Sequence, residues 1–256
     1  MKIIVIQPDI HWEQPKENYK KIEALLNAKT IPKDSLIVLP EMFDTGFSMN
    51  LNNEFIDKEC HSIEFLKKIA VQYQSHVIGG YASIISSGNL ANCCEVINGK
   101  GLSLLTYQKM HPFSLSGEDK VYLPGDKHYH FDFCNFKISP FICYDLRFPE
   151  VFRTAVKDGV NFFIVIANWP AKRSEHWFSL LKARAIENQA YVLGVNRCGS
   201  DPNVDYEGGS VLYDPLGECV QQLDENEDLV NLEINYKIMK KWRASFPALK
   251  DAKHLK

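Results

Sequence analysis

The sequence predicts a layered α/β fold. Short, nearly continuous apolar runs rich in valine and isoleucine recur along the chain, and stretches with helical spacing alternate with them. No linker, low-complexity tract or internal repeat interrupts this pattern. Residues 1–256 therefore read as a single domain, with a closing segment, 236–256, free to pack outside its core.

The first strand is Ile3–Gln7. Met1-Lys2 and the apolar residues after it imitate the start of a signal peptide, but the run is too short and ends at Gln7-Pro8. A helix over Pro15–Ala28, a strand over Leu36–Pro40, a helix over Lys58–Tyr73 and a strand over His76–Ala82 follow. Asn92–Asn98 and Leu102–Lys109 read as strands with no helix between them. Alternation then resumes with strand Phe136–Cys143, helix Pro149–Asp158, strand Asn161–Asn168, helix Ser174–Gln189 and strand Tyr191–Asn196. In the Ser174–Gln189 helix, Trp177, Leu180, Leu181 and Ala185 share one face, and Ser174 suits the N-cap. Turn signals such as Asp214-Pro215-Leu216-Gly217 separate three last strands, Gly209–Asp214, Cys219–Leu223 and Leu229–Ile234. Helices are then expected to cover the sheet faces. The lysine-rich end, Leu249–Lys256, reads as a loosely held tail.

Composition narrows the function classes. Apolar residues at 45% and charged residues at 24% are the balance of an ordinary soluble protein. A formal net charge of −3 argues against nucleic acid as a partner, and no apolar run approaches a membrane span. The seven cysteines are odd in number and form no CxxC pair, which favours reduced thiols and a cytoplasmic location. Cys93 and Cys94 are adjacent in a strand, so they should face opposite ways as buried thiols. The eight histidines contain no HExxH pair. His128-Tyr129-His130 lacks the further ligands of a zinc site and reads as a surface strand end, so no metal or other cofactor is expected.

Three residues invite a chemical reading. Cys143 closes the strand and precedes Tyr144-Asp145-Leu146-Arg147-Phe148-Pro149, where a helix is expected to begin. A thiol at such a junction stands at the sheet edge near backbone N–H donors, and a helix N-terminus lowers its pKa; a plain core cysteine fits the position as well. Glu41 follows Leu36–Pro40 directly. It is either a solvated loop residue or a carboxylate held at the carboxyl edge of a sheet, placed to take a proton from a thiol. Lys109 ends its own strand, and is either solvated or a cation that stabilises an oxyanion.

Together the three form a pattern. Pro40-Glu41-Met42-Phe43, Tyr107-Gln108-Lys109-Met110-His111 and Ile142-Cys143-Tyr144-Asp145-Leu146-Arg147-Phe148-Pro149 resemble, in order and spacing, the three catalytic signatures of the nitrilase superfamily. The likeness continues over nearly the whole chain. Ala167–Trp177, Ala183–Tyr191, Asn196-Arg197 with Gly199 and Asp201, and Arg243–Pro247 bring it nearest to the bacterial ω-amidase branch acting on 2-oxoglutaramate.

The resemblance implies a four-layer α-β-β-α sandwich. It implies Cys143 as nucleophile, Glu41 as general base, Lys109 as oxyanion stabiliser and the Tyr144 backbone N–H as a second donor. Glu118, four residues before Tyr122, matches a second glutamate of the family; its ordinary reading is an exposed acid in Gly117-Glu118-Asp119-Lys120. The expected partner is a small amide, with the chain a homodimer or larger assembly. Arg173 is the candidate for a substrate carboxylate, or equally a solvated residue near the cap of the next helix, and Trp169, Phe43 and Tyr144 are candidate pocket walls that could equally fill core. Deaminated glutathione, other aliphatic amides, N-carbamoyl compounds and nitriles are alternative substrates for the same chemistry. A catalytically silent binding protein is the alternative of another class; loss of a central residue would favour it, and all three are present.

Overall fold

The structure is a computed structural model that describes residues 1–50, 61–85 and 88–252. Its strands are β1 (Lys2–Gln7), β2 (Leu36–Val38), β3 (His76–Ile84), β4 (Leu90–Ile97), β5 (Ser103–Gln108), β6 (Phe131–Phe133), β7 (Phe136–Ile142), β8 (Phe162–Ala167), β9 (Tyr191–Asn196), β10 (Cys198–Ser200), β11 (Asp205–Glu207), β12 (Val211–Tyr213), β13 (Cys219–Gln222) and β14 (Asp228–Glu233). Two six-stranded sheets hold most of them, in the orders β14-β1-β2-β3-β4-β5 and β13-β12-β9-β8-β7-β6, while β10 and β11 form a separate hairpin.

The alternation of side chains across each strand explains the layering. Ile3 and Val5 of β1 pack with Leu36, Val38 and Ile78 against the second sheet, joining Phe141, Ile142, Ile164 and Ile166 in one core. Ile4 and Ile6 face the other way, where Ile37 and Val77 meet Ile22 and Leu26 of α1 (Pro15–Asn27) and Phe65, Leu66 and Ile69 of α2 (His61–Tyr73). The outer face of the second sheet is covered by α3 (Pro149–Lys157) and α4 (Ser174–Asn188). A β-carbon on Gly194 of β9 would stand 2.4 Å from Leu181 and 2.5 Å from Trp177, so α4 lies directly on the sheet. The result is an α-β-β-α sandwich. Both faces of its central strands are buried, hence their unbroken apolar runs.

β1, β2 and β3 run parallel, as do β7, β8 and β9. Their carboxyl ends point the residues that follow, Glu41, Cys143 and Asn168, into one region between the sheets. From Tyr236 the chain forms α5 (Tyr236–Ser245) and α6 (Ala248–Asp251). Met239 is buried in the main core, and Arg243 donates to the carbonyls of Gln189 (2.9 Å), Asn188 (3.1 Å) and Val160 (3.4 Å).

Several local expectations change. Ser174 is the first residue of α4 and does not cap it; its hydroxyl donates to the Ala171 carbonyl and to Glu207. β6, β10 and β11 were not anticipated, being three residues each and carrying too few side chains for a period to emerge. Cys93 and Cys94 do face opposite ways, Cys94 into the core between the sheets and Cys93 beside Tyr81 and Ala91. His128 and His130 precede β6, paired with Asp158 (2.8 Å) and Lys137 (3.2 Å). The expected helix start at Lys58–Cys60 and the final four residues of the tail lie outside the described residues.

Candidate active site

Glu41 sits three residues beyond β2, where the pleat ends. The Gly80 N–H donates to the Pro40 carbonyl (3.1 Å) and the Phe43 N–H donates to the Gly80 carbonyl (3.0 Å), so β3 grips the chain on both sides of the glutamate. Met42 takes a left-handed φ of +42°, which turns the backbone away and leaves the carboxylate fully buried. Glu41 Oε1 accepts from Lys109 Nζ (3.0 Å) and Asn92 Nδ2 (2.7 Å), and Oε2 accepts from the Asn168 N–H (2.8 Å).

Lys109 follows β5 and is 1% exposed. Its ammonium donates to Glu41 and to both oxygens of Glu118, at 3.0 and 2.8 Å. Burial alone would lower its pKa; the two carboxylates outweigh that and hold it above the ordinary lysine range, so the cation is fixed. Glu118 is not a solvated loop acid. It is fully buried, and it also accepts from the Phe113 N–H and from Asn92 Nδ2 (2.8 Å).

Cys143 follows β7 at a φ of +46°, opening a 3-10 turn over Cys143–Arg147. A non-glycine residue held in that region costs on the order of 1–3 kcal/mol, which the surrounding structure must offset. Its Sγ donates to the Asn168 carbonyl at 3.9 Å, and it lies within the field of the Glu41 carboxylate. The expected lowering of the thiol pKa does not occur. Burial and then the Glu41 charge push it well above the ordinary cysteine value, against the pull of Lys109, because one short 3-10 turn supplies too little positive potential to offset desolvation. The resting nucleophile is therefore a neutral thiol with a base against it.

A cavity of about 390 Å³ opens over Cys143. Phe47, Phe113, Tyr144, Trp169 and Tyr206 line it, with Arg147, Lys172 and Arg173 as its cations. Arg147 lies over the Trp169 ring (4.9 Å) and Arg173 over the Phe113 ring (5.2 Å). Trp169 is both wall and core: it lines the cavity, packs tilted against Trp177 with ring centroids 5.3 Å apart, and gives its indole N–H to the Arg173 carbonyl (2.8 Å). Phe43 is corrected to core, since it is fully buried on the helix side of the first sheet against Phe65 and Tyr19. Phe47 takes the wall position instead, 5.2 Å from Lys109 Nζ. A second cavity of about 430 Å³, beside Ser174, Glu207 and Asp224, shares Trp169 in its lining.

The structure thus brings Glu41, Lys109, Glu118 and Cys143 together and sets Tyr144, Trp169 and Arg173 around the opening. Asn92, Asn168, Gly80 and Arg147 were missed. Arg147 stands inside the cysteine signature and was readable there; the other three act through the fold. Among the described residues, no group of three or more His, Cys, Asp or Glu side chains is placed to hold a metal ion, and no helix is long and apolar enough to cross a membrane.

A half-buried cysteine with a carboxylate base and a fixed ammonium, set at the strand ends of an α-β-β-α sandwich, puts this chain among the nitrilase-type hydrolases. It belongs to the carbon–nitrogen hydrolase family, whose sequence model matches residues 2–244, and is an enzyme that hydrolyses carbon–nitrogen bonds. A 2-oxoglutaramate amidase of Bacillus subtilis is 33% identical over 97% of this chain and 96% of its own length. The omega-amidase YafV of Yersinia enterocolitica is 35% identical over 98% and 96%. A CN-hydrolase superfamily protein from Xanthomonas campestris, solved with an arsenic adduct in its active site, superposes with a TM-score of 0.91 at 31% identity, covering 98% of this chain and 97% of that one.

Proposed function

We propose that the enzyme hydrolyses the terminal amide of a short 2-oxo acid, converting 2-oxoglutaramate to 2-oxoglutarate and ammonia through a thioester on Cys143. The observation that carries this reading is the cavity over Cys143. It is lined by two guanidinium groups, Arg147 and Arg173, neither of which is ion-paired with a carboxylate among the described residues. Such groups fit a carboxylate at one end of a substrate whose amide lies against the thiol. The names of the similar proteins from Bacillus subtilis and Yersinia enterocolitica support the same choice.

In this mechanism Glu41 takes the thiol proton as sulfur attacks the amide carbon. Lys109 and the Tyr144 N–H stabilise the oxyanion, each donor contributing about 3–4 kcal/mol in the transition state. Glu41 then passes the proton to the departing ammonia, leaving the thioester. It next deprotonates a water that attacks the thioester, and returns that proton to the leaving thiolate, which frees the acid. Glu118 keeps Lys109 charged, and Asn92 holds Glu41 still between these steps. We assign the enzyme to a reducing cytosol, on seven cysteines that are odd in number and form no CxxC pair, and to a homodimer or larger assembly, on the family resemblance.

The test is ammonia release by the purified protein from 2-oxoglutaramate, glutamine, deaminated glutathione and a simple nitrile, with Cys143→Ala as the blank. Preference for 2-oxoglutaramate is expected. Preference for another compound keeps the Glu-Lys-Cys chemistry and replaces the substrate, and inertness toward all four reopens the question of what this pocket binds.

A further inference from the structure

Asp145 has no part in the chemistry just described, yet it is a fully buried carboxylate with both oxygens engaged. Oδ2 accepts from the Tyr107 hydroxyl (2.6 Å) and the Ile142 N–H (3.1 Å). Oδ1 accepts from the His111 N–H (3.0 Å) and lies 2.8 Å from His111 Nδ1, which donates as Nδ1–H. The sequence positions of these partners matter. Tyr107 and His111 stand two residues before and two residues after Lys109. Ile142 directly precedes Cys143, and Asp145 itself is two residues beyond it. One carboxylate therefore holds the chain on both sides of the lysine and on both sides of the nucleophile.

The surroundings keep this arrangement rigid. The Tyr107 oxygen also accepts from the Met110 N–H (3.3 Å), and the Tyr107 ring packs edge-on against Phe141. The His111 ring stacks on Phe148 at 3.8 Å with the planes 9° apart, so a second contact ties the lysine loop to the cysteine turn. The two segments come from different sheets, and Cys143 is in a left-handed conformation that relaxes unless held. We infer that Asp145, with Tyr107 and His111, is the positioning device that fixes the Lys109 ammonium relative to the Cys143 thiol. This rests on the reading of Lys109 and Cys143 as the catalytic pair. Misplacing a catalytic group by about 1 Å costs on the order of a hundredfold in rate.

The experiment compares His111→Ala with His111→Asn, whose side-chain amide reproduces the Nδ1–H donor. His111 is partly exposed, so both variants keep their core. Kinetics on the amide the wild type turns over best should show His111→Ala losing about tenfold in kcat with KM within twofold, and His111→Asn recovering most of that loss. Tyr107→Phe should lower kcat in the same way, and Asp145→Asn further. Wild-type kcat in His111→Ala overturns the inference. So does a loss carried by KM, or an asparagine variant no better than the alanine one. Lys109→Met and Cys143→Ala in the same assay separate the two readings: activity in either removes the catalytic pair, whereas their inactivity beside a normal His111→Ala removes only the positioning role.

Discussion

A β-carbon on Gly80 would stand 2.7 Å from the α-carbon of Glu41 and 2.7 Å from Ile166 Cδ1. No side chain fits there, so the first sheet can bring the glutamate backbone against the second only because residue 80 is glycine. Gly80→Ala is expected to push the end of β2 outward. The cost in stability is about 1–3 kcal/mol for the overpacked contact, while kcat falls by about tenfold to a hundredfold as Glu41 leaves its place. Ammonia release and thermal melting on the same sample check this. Unchanged kcat would mean that the glutamate tolerates the shift.

Lys109 does two things, and they separate on substitution. Lys109→Met, Glu41→Gln and Cys143→Ala should each lower turnover by orders of magnitude. Only Lys109→Met also leaves two buried carboxylates, Glu41 and Glu118, without their cation. It should lose about 3–5 kcal/mol in urea unfolding, whereas Cys143→Ala removes no charge and stays close to wild type. A mild kinetic effect at Glu41 or Lys109 breaks the assigned roles.

What the sequence disclosed follows from where the information lies. Strands with both faces buried announce themselves as apolar runs, which is why β1, β8 and β9 were legible nearly to the residue. Glu41, Lys109, Glu118 and Cys143 were legible because their spacing matches a family. Asn92 and Asn168 were not: each lies in or beside an apolar run and earns its place by hydrogen bonds to Glu41 from other strands, which no local pattern reveals. Phe43 stayed open between wall and core because adjacency to a catalytic residue says nothing about the side of the sheet it faces. The Cys143 pKa was misjudged because burial, the dominant influence, is a property of the fold.

Two other buried thiols give an alkaline prediction. Burial, with the Glu95 charge adding to it, pushes Cys93 up to about 12 and Cys94 well above its ordinary value. In the unfolded chain both ionise near about 8.5. With the folded pKa above the unfolded one, their contribution is fully present below about 8.5 and is lost as pH rises toward the folded values. Each thiol then removes about 1.4 kcal/mol per pH unit across that window. Urea unfolding between about pH 8 and 10.5 should show a shallower decline in Cys93→Ala and in Cys94→Ala than in wild type, by about one proton each. Parallel declines would mean that these thiols ionise in the native state as readily as in water.

Arg147 and Arg173 give the last prediction, because they enter the cavity differently. Arg173 comes from the 3-10 turn before α4 and rests on Phe113, while Arg147 ends the cysteine turn, rests on Trp169 and meets His176 Nδ1 at 3.2 Å. Burial lowers the Arg173 pKa and the neighbouring Arg147 charge adds to that, so an anion between them relieves repulsion as well as gaining hydrogen bonds. Charge-assisted hydrogen bonds of this kind contribute about 1.5–3 kcal/mol, equivalent to about 10–150-fold in affinity. Arg147→Ala and Arg173→Ala should each raise KM by that order for an amide bearing a far carboxylate, and leave a neutral amide of the same length within about twofold. Lysine at either position should recover only part of the loss, because it keeps the charge and loses the planar fork. If the neutral amide suffers equally, the arginines shape the walls through their aromatic contacts, and the substrate carboxylate is read elsewhere.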